Sequence, residues 1–152
     1  MTPYELLKFV HVLSAAIWVG GAVTLRIQAA RAEKETDQAA AAKVAQDTER
    51  IGKGLLMPAS IVLLVTGLWM VLFETDIGFD PLWVKLGLGI YLLSALGGAI
   101  FLGPQYKKVG ELRAAGTTGA ELDARIARIS LVSWIDLGLL VAAIYVMTTK
   151  PL

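Results

Sequence analysis

Residues 8–26 read KFVHVLSAAIWVGGAVTLR, an apolar stretch that contains His11, the single histidine of the 152-residue chain. A helix rises about 1.5 Å per residue, so about 20 apolar residues cross a hydrocarbon core about 30 Å thick. Four stretches of the chain meet this requirement, approximately 4–25, 55–73, 82–103 and 131–148. The sequence therefore predicts an all-α membrane protein: an antiparallel bundle of four transmembrane helices, forming a single domain over residues 1–152.

The composition is typical of a membrane protein, and together with the net charge it indicates which classes of partner to expect. Hydrophobic residues make up 56% of the chain and charged residues 18%, against about 45–50% and about 25% in soluble domains. The lipid bilayer is the expected partner, and a net charge of +1 gives no reason to expect nucleic acid. Because the chain has no cysteine, disulfides, thiolate metal sites and iron–sulfur clusters are excluded.

Basic residues lie in two of the three connections between the spans. The second connection, ETDIGFDP at residues 74–81, contains none. The first and third connections hold Arg26, Arg31, Lys34, Lys43, Arg50, Lys53, Lys107, Lys108, Arg113, Arg125 and Arg128. Because cytoplasmic loops carry an excess of Lys and Arg, we expect the first and third connections in the cytoplasm and both termini outside.

The cytoplasmic connections are themselves predicted to be helical. Residues 28–53 are rich in Ala, Glu, Lys and Gln and contain no proline, so helix propensity is high and the first two spans should continue as a helical hairpin. Thr118 and Glu121 match the capping-box pattern T-x-x-E, which predicts that the fourth helix also begins in the cytoplasm. Glu121 and Arg125 at i,i+4 support that helix. We interpret these extensions as solvated charged surface, with docking of another protein as the alternative.

His11 is the first candidate site residue, because a polar ring at hydrocarbon depth is costly unless something satisfies it. It lies about 10 Å below Tyr4 at helical rise, in the outer half of the bundle. Lys85, near the start of the third span, and Met70, near the end of the second, are expected at the same level. A hydrogen bond from His11 to a neighbouring helix is the alternative to a ligand role. Lys85 has an alternative too, which is to extend to the membrane interface.

Helical spacing predicts which face of the first helix points inward. A stripe at intervals of three and four residues consists of His11, Ser14, Ala15, Trp18, Gly21 and Ala22. Such a stripe of small and polar residues should face the bundle, where Trp18 packs either on a ligand ring or in the core. The glycines of the third span predict close helix packing, a dimer seam or a flat wall against a planar ligand.

A second polar pair is predicted in the inner half of the bundle. Asp136 lies five residues into the fourth span, and Arg26 ends the first span at a similar level. Intramembrane carboxylates are normally paired, so we expect a structural ion pair between Arg26 and Asp136. A proton relay through Asp136 is the alternative.

Short motifs in the first three spans resemble those of known families. They are KFVHVLSAAIWVGG at residues 8–21, Pro58, Thr66-Gly67 and Trp83-Val84-Lys85. Together they resemble small bacterial membrane proteins related to HemJ-type protoporphyrinogen oxidases. They are also similar to an uncharacterised group of predicted integral membrane proteins and, through the pattern H-x₆-W-x-G, to CopD-type copper-resistance domains.

The HemJ resemblance implies a bacterial inner-membrane protein that binds haem b, with His11 as the axial ligand and Lys85 beside the cofactor. The chain departs from that pattern near its last helix, where residues 133–136 read SWID instead of an asparagine–glutamate element. The resemblance therefore implies haem binding rather than porphyrinogen oxidation.

The chemistry of the available residues is compatible with a haem. Haem iron needs at least one axial ligand, commonly histidine, in an apolar pocket. With one histidine in the chain, the sixth position is empty or is filled by Met70, Lys85 or a partner subunit. Copper transport is disfavoured, because its soft-ligand sites use clustered Met, Cys and His, whereas four scattered methionines and no cysteine are present.

We therefore predict a haem-b protein of redox character, a membrane oxidoreductase in class. Its cofactor-binding residues are His11, Lys85, Trp18 and Met70, and its partner is a second copy or a membrane redox protein. The alternative function is a non-catalytic accessory subunit or a transporter-like binder of a small molecule or metal.

Overall fold

The computed structural model describes residues 2–74, of Glu74 the backbone only, and residues 78–150. Asp76 of the acidic second connection therefore lies outside the described residues. The helices are α1 (Pro3–Ala32), α2 (Gln38–Ile51), α3 (Met57–Trp69), α4 (Leu82–Leu96), α5 (Gly103–Ala114) and α6 (Ala120–Thr149). The described part of the chain contains no strand, which confirms the all-α class.

Two pairs of these helices join end to end through π-helical turns. Gly52–Leu56 links α2 to α3, and Gly97–Leu102 links α4 to α5. Pro58 and Pro104 lie just beyond these turns, in the first turns of α3 and α5. Proline lacks the N–H of the i→i−4 bond and its ring crowds the carbonyl four residues earlier, so a wider π turn accommodates each ring within a continuous helix.

The result is four long helices that are apolar enough to cross a membrane. They are Pro3–Ala32, Gln38–Phe73, Leu82–Ala114 and Ala120–Thr149. The shortest have 30 residues, or about 45 Å, which exceeds the hydrocarbon thickness of about 30 Å. The four-helix membrane bundle and its helical extensions are therefore as predicted.

The extensions pack together at one end of the bundle, which we call the basic end: α2, α5, the last turns of α1 and the first turns of α6. There α2 lies along α5, and Gly110 packs against α2, where an added Cβ would be in van der Waals contact with the Ala45 Cβ at 3.4 Å. Ala45, Val109, Leu122 and Ile129 form a buried hydrophobic core. The compact core of the protein thus lies at the basic end.

The membrane segments are arranged more openly. α1 packs chiefly on α3, and α4 on α6. Many large apolar side chains are exposed along these helices, among them Leu93, Ile100 and Val141. Lipid covers such surfaces at no cost, because hydrocarbon tails are as apolar as the side chains.

The start of α6 differs from the predicted capping box. At α6 the N-cap is Gly119, with φ of 119°, and no side chain caps the helix, so the capping box predicted from Thr118 and Glu121 is wrong. The left-handed backbone at Gly119 favours glycine and moves the cap one residue past the threonine. Glu121 does approach Arg125, at 3.8 Å. A complete capping box instead joins Thr2 and Glu5 at the start of α1.

Candidate functional site

His11 lies on the face of α1 that packs against α3. Its Nδ1 is 2.9 Å from the Leu63 carbonyl oxygen and 3.2 Å from the Thr66 Oγ1. A carbonyl oxygen only accepts hydrogen bonds, so Nδ1 carries a proton and donates it to Leu63. The hydroxyl of Thr66 is itself directed to the Val62 carbonyl at 2.7 Å. This arrangement selects the tautomer in which, in the neutral ring, Nε2 has the free lone pair.

The second ring nitrogen of His11 is available for another partner. Nε2 has no hydrogen bond among the residues that the structure describes. Beside the ring, Gly67 is needed for the close approach of the helices, since a Cβ there would lie 2.9 Å from the His11 Cε1. The site therefore consists of an oriented imidazole held against a glycine of α3, with one nitrogen unused.

The predicted inward stripe of α1 is confirmed by its contacts. Ser14 is buried, and Gly21 lies directly against the side chain of Leu56. Further along the same face, Trp18 packs on Tyr91 with ring centroids 5.2 Å apart and an interplanar angle of 59°. Tyr91 donates its hydroxyl hydrogen to the Ser60 carbonyl at 2.9 Å. Trp18 thus connects the packed pair α1–α3 to the packed pair α4–α6. Its ring contact in this structure is with a protein side chain.

Lys85 lies near the start of α4, and Met70 directly follows α3. The side chain of Lys85 is exposed on α4, and within the described part of the chain it makes no hydrogen bond or ion pair. Met70 is half-buried and lies four residues after Thr66, on the same helix face one turn further out. Among the described residues, the hydrogen-bond partners of the His11 ring are Leu63 and Thr66.

The predicted ion pair between Arg26 and Asp136 is wrong, because each residue has another partner. Arg26 pairs with Glu33 at 3.0 Å and donates to the Ser130 hydroxyl. Asp136 accepts a hydrogen bond from the Ser94 hydroxyl. Asp136 lies six residues beyond Ser130, about 9 Å further along α6, so the guanidinium of Arg26 is engaged by the nearer Ser130 hydroxyl and by Glu33, the C-cap residue of α1.

The sequence did not predict the partners of Arg26, His11 and Tyr91. Residue spacing could have indicated one of them, the pairing of Arg26 with Glu33. Glu33 follows Arg26 by seven residues, two helical turns on the same face. Arg26 also lies over the ring of Trp134, at 5.4 Å from its centroid. The partners of His11 and Tyr91 are backbone carbonyls of α3, which no side-chain pattern reports.

The metal-binding capacity of the site is limited to one protein ligand. The described residues contain no group of three or more His, Cys, Asp or Glu side chains that could hold a metal ion. A bare ion with a single ligand from this chain would be weakly held. A prosthetic group that brings most of its own metal ligands needs as little as one histidine from the protein, and His11 is the residue that would hold it.

Comparisons with known proteins give one match. A family model described as a predicted integral membrane protein (DUF2269) matches residues 5–151. No curated protein and no solved structure matches the chain. Of the resemblances drawn from the motifs, the one to an uncharacterised integral membrane group is supported. No support was found for a relation to HemJ-type oxidases or CopD-type domains.

Proposed function

We propose that this chain, which belongs to the DUF2269 family of predicted integral membrane proteins, binds haem b through Nε2 of His11 and acts as a membrane redox protein. The observation that supports this proposal is the hydrogen bond from Nδ1 to the Leu63 carbonyl. Metal-ligating histidines commonly donate their other ring N–H to a backbone carbonyl, which fixes the tautomer and orients the ligating nitrogen.

The residues around His11 each have a role in this proposal. Leu63 and Thr66 hold the imidazole, and Gly67 leaves room for it against α3. Lys85 and Lys8 are exposed toward the same end of the bundle, and cations of this kind suit the propionates of a haem. Met70, one turn beyond Thr66, would be a further ligand from this chain.

The haem would supply reversible one-electron transfer, and the protein controls where it occurs. His11 lies in an apolar span, so lipid would keep water from the ligating nitrogen and favour transfer to another membrane component over reaction with solvent. We therefore propose a second membrane redox protein, or a second copy of this chain, as the electron partner.

Absorption spectroscopy of the detergent-purified protein tests the proposal. We expect a Soret band and, on reduction, α and β bands. His11→Ala should lose the pigment while circular dichroism still reports the same helix content. Ser14→Ala, a change on the same buried stripe, should keep the pigment.

A glycine substitution tests the geometry without removing the ligand. Gly67→Ala would force the His11 ring to move, because the added Cβ would lie 2.9 Å from Cε1, so we expect weaker haem retention or a shifted Soret band. Gly89→Ala is the matched control, since a Cβ there meets nothing within 4 Å. A spectrum that is unchanged by Gly67→Ala would place the pigment elsewhere.

The second candidate function is a non-catalytic membrane subunit, and one observation favours it. The bonds of His11 to Leu63 and Thr66 already join α1 to α3, which is sufficient reason to keep a histidine in the bundle. A colourless protein that also fails to take up added haemin would contradict the haem-based redox role and favour this candidate.

We also propose that the basic end faces the cytoplasm of a bacterium, with both termini outside. The concentration of Lys and Arg in the first and third connections supports this orientation. In intact cells, a cysteine introduced at Thr2 should react with a membrane-impermeant maleimide, and one introduced at Ala40 should not. The opposite labelling would reverse the proposed orientation.

A further inference from the structure

The basic end contains a shallow cavity of about 590 Å³, open over most of its face, that the proposed redox site does not use. It lies where the end of α1, the end of α5 and the first half of α6 meet. Its walls include Glu33, Arg113, Asp123, Ser130, Leu131 and Trp134. This volume is within the range of about 300–1,000 Å³ that is typical of small-molecule sites.

The α6 wall of the cavity changes from polar to apolar along its length. Asp123, Ser130 and Trp134 share one helix face, at spacings of three and four residues through Ala127. Asp123 lies in the first turn of α6, whereas Leu131 and Trp134 lie in the apolar span and are 62% and 59% exposed. The cavity therefore runs from a charged end toward the surface that lipid covers.

At the charged end, a buried donor of Arg113 and the carboxylate of Asp123 have no direct partner among the described residues, although the charges of Arg113 and Asp123 attract each other at longer range. Arg113 is only 8% exposed; its Nη1 donates to the Ala32 carbonyl at 3.1 Å, but its buried Nε has no partner among the described residues. Asp123 forms no ion pair in the described part of the chain. Glu33, by contrast, is already paired with Arg26.

We propose that this cavity binds a phospholipid whose headgroup contains both a phosphate and a primary amine, in the leaflet at the basic end. Arg113 would receive the phosphate and Asp123 the ammonium group, since both contacts are charge-assisted hydrogen bonds. Leu131 and Trp134 would cover the glycerol and the first methylene groups, at the level where tryptophan is enriched in membrane proteins. A free phosphate would leave the apolar wall uncovered, and a purely anionic lipid would bring no cation to Asp123.

The headgroup requirement can be tested on delipidated, detergent-purified protein by thermal unfolding with three added lipids of identical acyl chains. Phosphatidylethanolamine should raise the melting temperature most, because a ligand that binds only the folded state stabilises it. Phosphatidylcholine lacks the N–H donors, and phosphatidylglycerol lacks the cation, so both should raise it less. Equal shifts with all three lipids would overturn the proposal.

A matched pair of variants assigns the amine contact. Asp123→Asn should reduce the preference for phosphatidylethanolamine over phosphatidylglycerol by about tenfold, as expected when one charged contact of about 1.4 kcal/mol is lost. Glu121→Gln makes the same chemical change on the same helix outside the cavity and should leave the preference intact. Retention of the full preference in Asp123→Asn would contradict the proposed contact. The test is independent of haem, because bound lipid is read from unfolding and not from colour.

Discussion

The basic end and the membrane segments of this protein are held together by different forces. At the basic end, Ala45, Val109, Leu122 and Ile129 are buried in a continuous core. In the membrane segments, large apolar side chains are exposed. The hydrophobic effect requires water, so it organises the part of the chain outside the membrane and contributes little between helices in lipid.

Within the membrane, helix contacts therefore depend on small residues and a few hydrogen bonds. The polar contacts that join helices there include the hydrogen bonds of His11 to the Leu63 carbonyl, of Tyr91 to the Ser60 carbonyl and of Ser94 to Asp136. Gly21, Gly67 and Gly87 allow close approach at positions where a Cβ would collide with a neighbouring side chain. The difference between the regions predicts different costs for the same substitution.

The largest effect is expected for truncation in the core of the basic end. Ile129 is 4% exposed, so Ile129→Ala should lower the free energy of unfolding by about 2–4 kcal/mol, through lost burial and a residual cavity. Ile135→Ala, the same change on the lipid-facing part of α6, where the residue is 56% exposed, should change it by less than about 0.5 kcal/mol. Denaturant unfolding in detergent measures both, and equal losses would remove the distinction between the two regions.

The number and length of the helices can be predicted from the sequence because hydropathy reports directly how much chain crosses the bilayer. The inward face of α1 also follows, since the stripe through His11 and Gly21 has helical spacing. The partner of Asp136 does not follow, because depth along a helix leaves several side chains within reach. The Leu63 carbonyl is equally hidden, because every residue carries such a group and only the packing of α1 on α3 selects one.

An intermediate effect is expected for the polar contact inside the membrane. A double-mutant cycle between Ser94→Ala and Asp136→Ala should give a coupling energy of about 0.5–1.5 kcal/mol. The cycle between Arg26→Ala and Asp136→Ala should be additive within about 0.5 kcal/mol, since their partners are separate. Coupling in the second cycle and none in the first would show that Arg26 and Asp136 do pair in the bilayer.

The smallest effect is expected at Tyr91, where α4 contacts both α1 and α3. Tyr91→Phe removes the hydroxyl bonded to the Ser60 carbonyl but keeps the ring against Trp18, so it should cost about 0.6 kcal/mol, a typical value for such bonds in membranes. Tyr145→Phe, at an exposed tyrosine of α6, should have no measurable effect. Thermal unfolding of both variants under the same condition measures this difference. A loss of more than about 2 kcal/mol in the free energy of unfolding for Tyr91→Phe would mean that the hydroxyl does more than join two helices.

The central claim, that Nε2 of His11 is a haem ligand, is tested most directly by chemical rescue. The reduced-minus-oxidised spectrum is recorded for the wild type and for His11→Ala, each loaded with haemin, before and after addition of free imidazole. We predict α and β bands for the wild type, their loss in His11→Ala, and their return when imidazole occupies the space left by the side chain. Bands that persist in His11→Ala without imidazole, or a wild type that binds no haemin, would contradict the account.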